Sequence, residues 1–262
     1  MTSLLMEAVK VELGATERWP DNVKLFQQYQ VEQITFPDYA ACLSVKTYLH
    51  MCGLNFTTEL KINAEEMSPS GKVPFIQIGP FLISEMEPII SAVQTRGFTL
   101  SADLPDIQKS ELKAYMSLVG NTLVNAELYL AWIQEDVYEQ VTRERYGCMQ
   151  PWPLNRILPC KKYFDIKRKL SVVDWLNKSF NEVCEEVITC CEALSERLGT
   201  QDFFFGKKPT ELDALVFGHL FTLLTTDLPN KEFAQVIGKY DNLVQFCKRV
   251  DQKYYKQLDN DY

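Results

Sequence analysis

Residues 203–220 read FFFGKKPTELDALVFGHL, and this stretch decides the fold of the second half of the chain. A glycine stops the preceding element. Pro209 and Thr210 then open a helix, because proline suits a first turn and threonine is a common N-cap. Thr210 and Asp213 stand three residues apart, the spacing of a capping box. The helix predicted at 210–226 is apolar on every side, which is typical of a helix buried on all faces. It is too short to cross a bilayer, which needs about 20 apolar residues, so we predict the central helix of an all-helical domain.

Length and charge narrow the class of protein. A chain of 262 residues can bury one large core or two modest ones, and its net charge of −8 argues against nucleic-acid binding. No window is long and apolar enough to suggest a membrane span. Glu7, Glu12 and Glu17 near the N-terminus argue against a targeting presequence or a secretory signal. We therefore expect a soluble, unprocessed chain that faces the cytosol.

Cysteine and histidine usage predicts neither a metal site nor a cofactor. The chain has eight cysteines without a C-x-x-C pair, and Cys184 and Cys191 fall in an apolar helical stripe. We interpret the cysteines as reduced structural thiols. The two histidines, His50 and His219, lie in different predicted helices, and His219 is expected to be a core histidine.

The first hundred residues alternate between strand and helix patterns. The predicted elements follow the order β-α-β-β-β-α: strand 23–29, helix 37–52, strand 56–62, hairpin strands 73–78 and 81–83, and a helix from Pro88 to Gly97. The Val73–Pro74 step stands where thioredoxin-like folds carry a cis peptide, although a simple strand-start proline is the alternative.

Helical periodicity dominates after residue 105. The predicted helices span 106–146, 155–170, 172–198, 210–226, 230–238 and 240–256. This pattern predicts an N-terminal extension at 1–20, an α+β thioredoxin-like domain at 21–98 and an all-α domain at 106–258. A connection near 98–105 joins the two domains.

Several motifs in register resemble one protein family. The longest are MSPSGKVPFI at 67–76, YGxxxPWPLNxIL at 146–158 and PTELDALVFGHL at 209–220; shorter matches are WP at 19–20, KAYM at 113–116 and AELYL at 126–130. Together they resemble the metaxins, and within that family the metaxin-2 branch. The resemblance covers nearly the whole chain. It implies a glutathione-transferase-like fold, with a C-terminal domain of the all-α transferase type and with Pro74, Thr210 and Asp213 as fold-defining residues.

The resemblance also implies a cellular role. Metaxins of this branch act on the cytosolic face of the mitochondrial outer membrane, in partnership with metaxin-1. They serve the machinery that imports, sorts and assembles outer-membrane β-barrel proteins, and the family is also linked to motor adaptors. The C-terminal residues 251–262 are polar, so we expect peripheral membrane association through a partner. The alternatives are a glutathione-dependent transferase and an adaptor that links mitochondria to motor complexes.

The residues expected at a glutathione site argue against catalysis. Phe36 precedes the helix-opening proline, where a transferase of the cysteine type places its reactive residue, and a phenyl ring supplies neither nucleophile nor donor. Glu85 stands where a serine would bind the ligand's carboxylate. Repulsion between two such carboxylates amounts to about 1–4 kcal/mol at 4 Å, and Glu87 adds a further charge. We therefore predict a degenerate glutathione site without catalytic residues.

Two hydroxyl groups near this site leave an alternative open. Thr35 and Tyr29 are close in sequence to Phe36, but we interpret Thr35 as a helix cap and Tyr29 as a strand-end residue. The backbone beside Pro74 is expected to receive an extended segment of another protein, as in peptide addition to a sheet edge.

A basic segment and a tryptophan are candidate interaction residues. The basic residues either contact a membrane or a partner or form a solvated helix face: Lys161, Lys162, Lys167, Arg168 and Lys169. Trp152 lies between two prolines and is expected to be a packed loop anchor, with an exposed contact residue as the alternative.

Overall fold

A computed structural model describes residues 19–30 and 32–256 of the chain. The predicted N-terminal extension, with Glu7, Glu12 and Glu17, lies outside the described residues except for its last two positions, and so does the tail after residue 256. The described residues form a sheet-containing first part and a helical second part.

The first part confirms the predicted strand and helix order with one addition. Its elements are β1 (Lys24–Gln27), α1 (Phe36–Met51), β2 (Thr57–Leu60), α2 (Ala64–Met67), β3 (Phe75–Ile78), β4 (Phe81–Ser84) and α3 (Met86–Gln94). The sequence prediction missed α2, because a single turn of four residues is too short to show an apolar period.

The four strands form one mixed sheet with the order β2-β1-β3-β4. β1 runs parallel to β2 and antiparallel to β3, and β3 and β4 form the predicted hairpin. Phe26 lies opposite Phe75 in this register, and their rings stack at 4.7 Å. The two central strands, β1 and β3, are the most buried of the four.

The second part is helical throughout. Its helices are α4 (Asp106–Trp132), α5 (Glu135–Val137), α6 (Arg143–Gly147), α7 (Leu154–Val172), α8 (Phe180–Leu198), α9 (Glu211–Thr225), α10 (Glu232–Gly238) and α11 (Asp241–Asp251). Two π-helical turns, Tyr138–Thr142 and Gln252–Lys256, continue α5 and α11.

Two predicted helix ranges are wrong. The range 106–146 breaks after Trp132, and the range 172–198 starts as a helix only at Phe180. Ser179 caps α8 in a complete capping box with Glu182, whose carboxylate accepts from the Ser179 amide at 2.6 Å. The sequence S-F-N-E carries the capping-box signature and would have located this start.

The predicted capping box of α9 is present, and it is buried. One carboxylate oxygen of Asp213 accepts from the amide and the hydroxyl of Thr210, at 2.7 and 2.6 Å. The other oxygen accepts from the Phe204 amide at 2.9 Å. The box thus joins the start of α9 to the loop before it, and α9 is buried from Glu211 to Leu220.

Helix α9 crosses α1 of the first part at very short range. A Cβ atom at Gly218 would lie 2.1 Å from the Ser44 hydroxyl and 2.7 Å from the Ala40 carbonyl oxygen, so only glycine fits there. The Ser44 hydroxyl lies 2.9 Å from that carbonyl and 3.3 Å from the Leu215 carbonyl. The two parts therefore meet through backbone contact.

The apolar cores of the two parts interpenetrate. Phe36 and Leu43 of α1 belong to the large helical core, whereas Ala214 of α9 belongs to the core beneath the sheet. A polar contact reinforces this packing, because Glu65 of α2 accepts from the Tyr146 hydroxyl at 2.6 Å. Among the described residues, no helix combines the length and apolar character that a bilayer crossing requires.

Candidate binding groove beside Pro74

A groove of about 500 Å³ opens between the sheet-containing part and the helices. The Val73–Pro74 peptide, which forms part of one wall, is cis. The other walls come from the first turns of α1 and α3, the middle of α4 and one side of α9. Their main lining residues are Ser44, Glu85, Met86, Met116, Gly120, Val124, Leu215 and His219.

The start of α1 presents no free polar group to this groove. Phe36 is buried in the helical core and does not line the groove. Thr35 occupies the predicted N-cap position, but its buried hydroxyl donates to a carboxylate oxygen of Asp38 at 2.7 Å instead of bonding a backbone amide. Tyr29 is half-buried at the end of β1 and does not line the groove either.

The start of α3 is occupied by an ion pair. Glu85 is the N-cap residue, with φ at 70°, and its carboxylate pairs with the ammonium group of Lys72. The repulsion predicted from Glu85 alone is therefore too large, because Lys72 neutralises much of the charge. Met86 is the first helical residue, and its thioether offers no donor to a ligand's carboxylate. Sequence reasoning missed both Lys72 and Met86.

A buried acid–histidine pair forms one side of the groove. Both carboxylate oxygens of Glu127 lie 2.9 Å from Nδ1 of His219, and both residues are buried. A hydrogen bond therefore joins the imidazole and the carboxyl group. Burial raises the pKa of Glu127, while His219 lowers it. His219 is the buried histidine predicted above; its partner was not predicted, because 92 residues separate the two.

The lining of the groove combines apolar side chains with a few polar ones. Ser44 supplies a hydroxyl to the lining, but that hydroxyl already bonds the Ala40 carbonyl. The side chains of Met86, Met116, Val124 and Leu215 make much of the lining apolar. Such a site can enclose an apolar or extended ligand.

The basic residues predicted as one cluster lie in three different places. Lys162 is half-buried and donates to Glu65 at 2.8 Å, so it does not belong to the exposed surface. Lys169 lines the groove. Burial lowers the pKa of Lys169, and the nearby positive charge of Lys72 lowers it further. Lys161, Lys167 and Arg168 are exposed on the outer side of α7.

The expectation that Trp152 is a packed loop anchor is wrong. Its side chain is 80% exposed. Tyr146, six residues earlier, packs against the buried Trp132 with the ring centroids 5.4 Å apart. Trp152 is an exposed residue of the loop before α7.

All eight cysteines are free, and Cys184 and Cys191 are buried as expected. Burial raises the pKa of both thiols to about 12, so they stay protonated at neutral pH. Cys148 and Cys160 are exposed, unlike the others. No group of His, Cys, Asp or Glu side chains in residues 19–30 and 32–256 has a metal-binding arrangement.

The four-stranded sheet, the cis-proline wall and the helical second part define a glutathione-transferase-like protein. Residues 40–137 match the family model described as the glutathione S-transferase N-terminal domain, and residues 187–250 match the C-terminal domain model. A glutathione S-transferase from Methylobacterium radiotolerans, solved with glutathione sulfonate, superposes with a TM-score of 0.58 at 12% identity. The superposition covers 88% of this chain and 91% of that structure, and at this identity it shows the fold alone.

Sequence similarity along nearly the whole chain identifies a narrower family of proteins within this fold. Metaxin-2 of Mus musculus is 50% identical over 97% of both chains, and metaxin-2 of Homo sapiens is 49% identical with the same coverage. The chain belongs to the metaxin family.

Proposed function

We propose that this chain is a non-catalytic subunit of the complex that imports, sorts and assembles β-barrel proteins in the mitochondrial outer membrane. It acts on the cytosolic face as a peripheral protein held there by metaxin-1. The observation that carries the proposal is the 50% identity to metaxin-2 over 97% of the chain.

The geometry of the groove supports a role in binding. The positions at which a transferase would activate a thiol and anchor a carboxylate hold Phe36, Glu85 and Met86. None of these side chains activates a thiol, and the Glu85–Lys72 ion pair already occupies the start of α3. A groove whose largely apolar lining also carries charged side chains suits an extended segment of a client or partner protein.

A complementation experiment tests the proposed role. Mitochondria that lack this chain are expected to assemble an imported β-barrel precursor slowly, and the full-length chain restores the rate. The chain is also expected to co-purify with metaxin-1. Unchanged precursor assembly, together with retention by a motor adaptor, would instead support the transport role.

Two matched variants separate binding from catalysis. Tyr29→Phe and Thr35→Ala each remove one of the hydroxyls that sequence reasoning left as candidates. Both variants should restore assembly like the unchanged chain, provided that thermal unfolding shows them to be folded. Saturable binding of glutathione, or thiol conjugation lost in either variant, would contradict the non-catalytic reading.

A further inference from the structure

Helix α7 carries an unusual concentration of exposed apolar side chains. Eleven large hydrophobic residues are exposed among residues 19–30 and 32–256, and six of these lie between positions 152 and 173. The six are Trp152, Leu154, Ile157, Phe164, Val172 and Val173. Trp152 is 80% exposed and Phe164 is 60% exposed. Single exposed apolar residues are normal, but a contiguous group marks a contact surface.

Helical spacing places most of this group on one side of α7. Residues three, four, seven or eight positions apart share a helix face, which applies to Leu154, Ile157, Phe164 and Val172. The buried residues of the same helix, Pro159, Ile166 and Leu170, occupy the opposite side. The exposed stripe is therefore unpartnered and faces directly away from the core.

Basic residues are interleaved with the apolar ones. Lys161 and Arg168 fall within the same stripe, and exposed Lys167 flanks it. Residues 154–172 contain six basic side chains and one acidic side chain, Asp165, in a chain of net charge −8. Asp165 lies 3.6 Å from Arg168 and so offsets only one cation. We call Trp152, Leu154, Ile157, Lys161, Phe164, Arg168 and Val172 the α7 face.

We propose that the α7 face docks directly on an anionic membrane surface. A helix that lies in the membrane interface combines apolar and aromatic side chains with Lys and Arg. The long basic side chains place their stems among the lipid headgroups while their charges stay in water. This contact goes beyond the proposed function, in which metaxin-1 provides the link to the membrane.

A lipid surface matches this face better than a second folded protein does. The α7 face presents exposed apolar and basic side chains along the outer side of α7, with Trp152 just before its first turn. Its net positive charge complements anionic headgroups, whereas the rest of this acidic chain would be repelled by them. The difference in charge between the α7 face and the rest of the chain should orient the molecule with this face towards the bilayer.

Vesicle flotation with the full-length chain tests the proposal. Vesicles of phosphatidylcholine with about 30 mol % phosphatidylserine are compared with vesicles of phosphatidylcholine alone. The chain should float with the anionic vesicles only, and raising the salt concentration should weaken binding. On binding, the fluorescence of exposed Trp152 should shift to the blue, and Trp152→Phe should remove that shift.

Charge-reversal variants locate the contact. Each basic residue at a membrane surface contributes about fivefold in partitioning, so Lys161→Glu with Arg168→Glu should lower vesicle binding at least about 25-fold. Lys239→Glu with Lys248→Glu makes the same change in net charge at exposed positions elsewhere and should have little effect. Thermal unfolding checks that both pairs are folded.

A test variant and its control probe the apolar part of the membrane contact. Phe164→Ser should lower binding about 10- to 150-fold, because a phenyl ring that leaves water contributes about 1.5–3 kcal/mol. Ile107→Ser, at a residue that is 77% exposed on α4, serves as the matched control. Absence of vesicle binding, or equal losses in the test and control variants, would overturn the proposal. The proposal would also be overturned if a protein partner bound the α7 face and the chain did not bind vesicles.

Discussion

The buried capping box of α9 should contribute far more to stability than the exposed capping box of α8. The carboxylate of Asp213 accepts hydrogen bonds from the amides of Phe204 and Thr210, and both residues are fully or nearly fully buried. Asp213→Ala would leave these two amides without a partner. Each unsatisfied buried donor costs about 1–3 kcal/mol, so the free energy of unfolding should fall by about 2–6 kcal/mol.

An asparagine in place of Asp213 should cause a smaller loss of stability than an alanine. Asp213→Asn keeps one carbonyl oxygen, which can accept from only one of the two sides, so about 1–3 kcal/mol should be lost. In a chain of this length each kcal/mol corresponds to about 2–4 °C in the midpoint of thermal unfolding. Urea unfolding and thermal unfolding at neutral pH measure both variants.

The chain supplies its own control for this prediction. Glu182 makes the same capping box with Ser179 at the start of α8, but on the surface. Water replaces a lost partner there, so Glu182→Ala and Glu182→Gln should change stability much less than the Asp213 variants. Equal losses at the two helices would refute the reasoning that burial, rather than capping itself, sets the magnitude.

Three further predictions concern stability and pH, each measured by urea unfolding. Gly218→Ala should destabilise by about 3 kcal/mol or more, because the new methyl group meets backbone atoms that cannot move aside; Gly120→Ala, with open space around the position, should be neutral or stabilising. His219→Leu should cost about 3–5 kcal/mol by leaving Glu127 buried without its partner; adding Glu127→Leu should restore much of that, and an additive loss would contradict the pairing. Burial, with a neighbouring carboxylate, raises the pKa of Asp38 to about 6. The folded state therefore binds the proton more tightly, so raising the pH from about 4 to about 6 should remove up to about 3 kcal/mol of stability. Asp38→Asn should reduce that dependence, because buried Asp213, whose pKa is also raised to about 6, keeps its own contribution; an unchanged slope would exclude Asp38 as a source.

The elements predicted correctly are those with local signals. The start of α9 could be predicted because Thr210 and Asp213 lie three residues apart and an apolar run follows them. The two central strands were predictable from short apolar runs between turn residues. In each case the residues that determine the structure lie within a few positions of one another.

The details of the groove could not be predicted, because they depend on pairs that are distant in sequence. Lys72 and Glu85 are 13 residues apart, and Glu127 and His219 are 92 residues apart. No local pattern indicates which charge faces which. The exposure of Trp152 likewise has no local signal, because a tryptophan between two prolines is compatible with a packed or an exposed side chain.

The crossing of α1 and α9 at Gly218 has a consequence for how the groove is maintained. Ser44, Leu215 and His219 reach the groove from helices whose separation is fixed by backbone contact. The shape of this cleft thus follows from the scaffold itself and requires no bound molecule to hold it open. Bulk added at Gly120, which lines the cleft with open space around it, can obstruct an occupant while leaving the crossing intact. Occupancy of the cleft and folding of the chain are therefore separable by a single substitution.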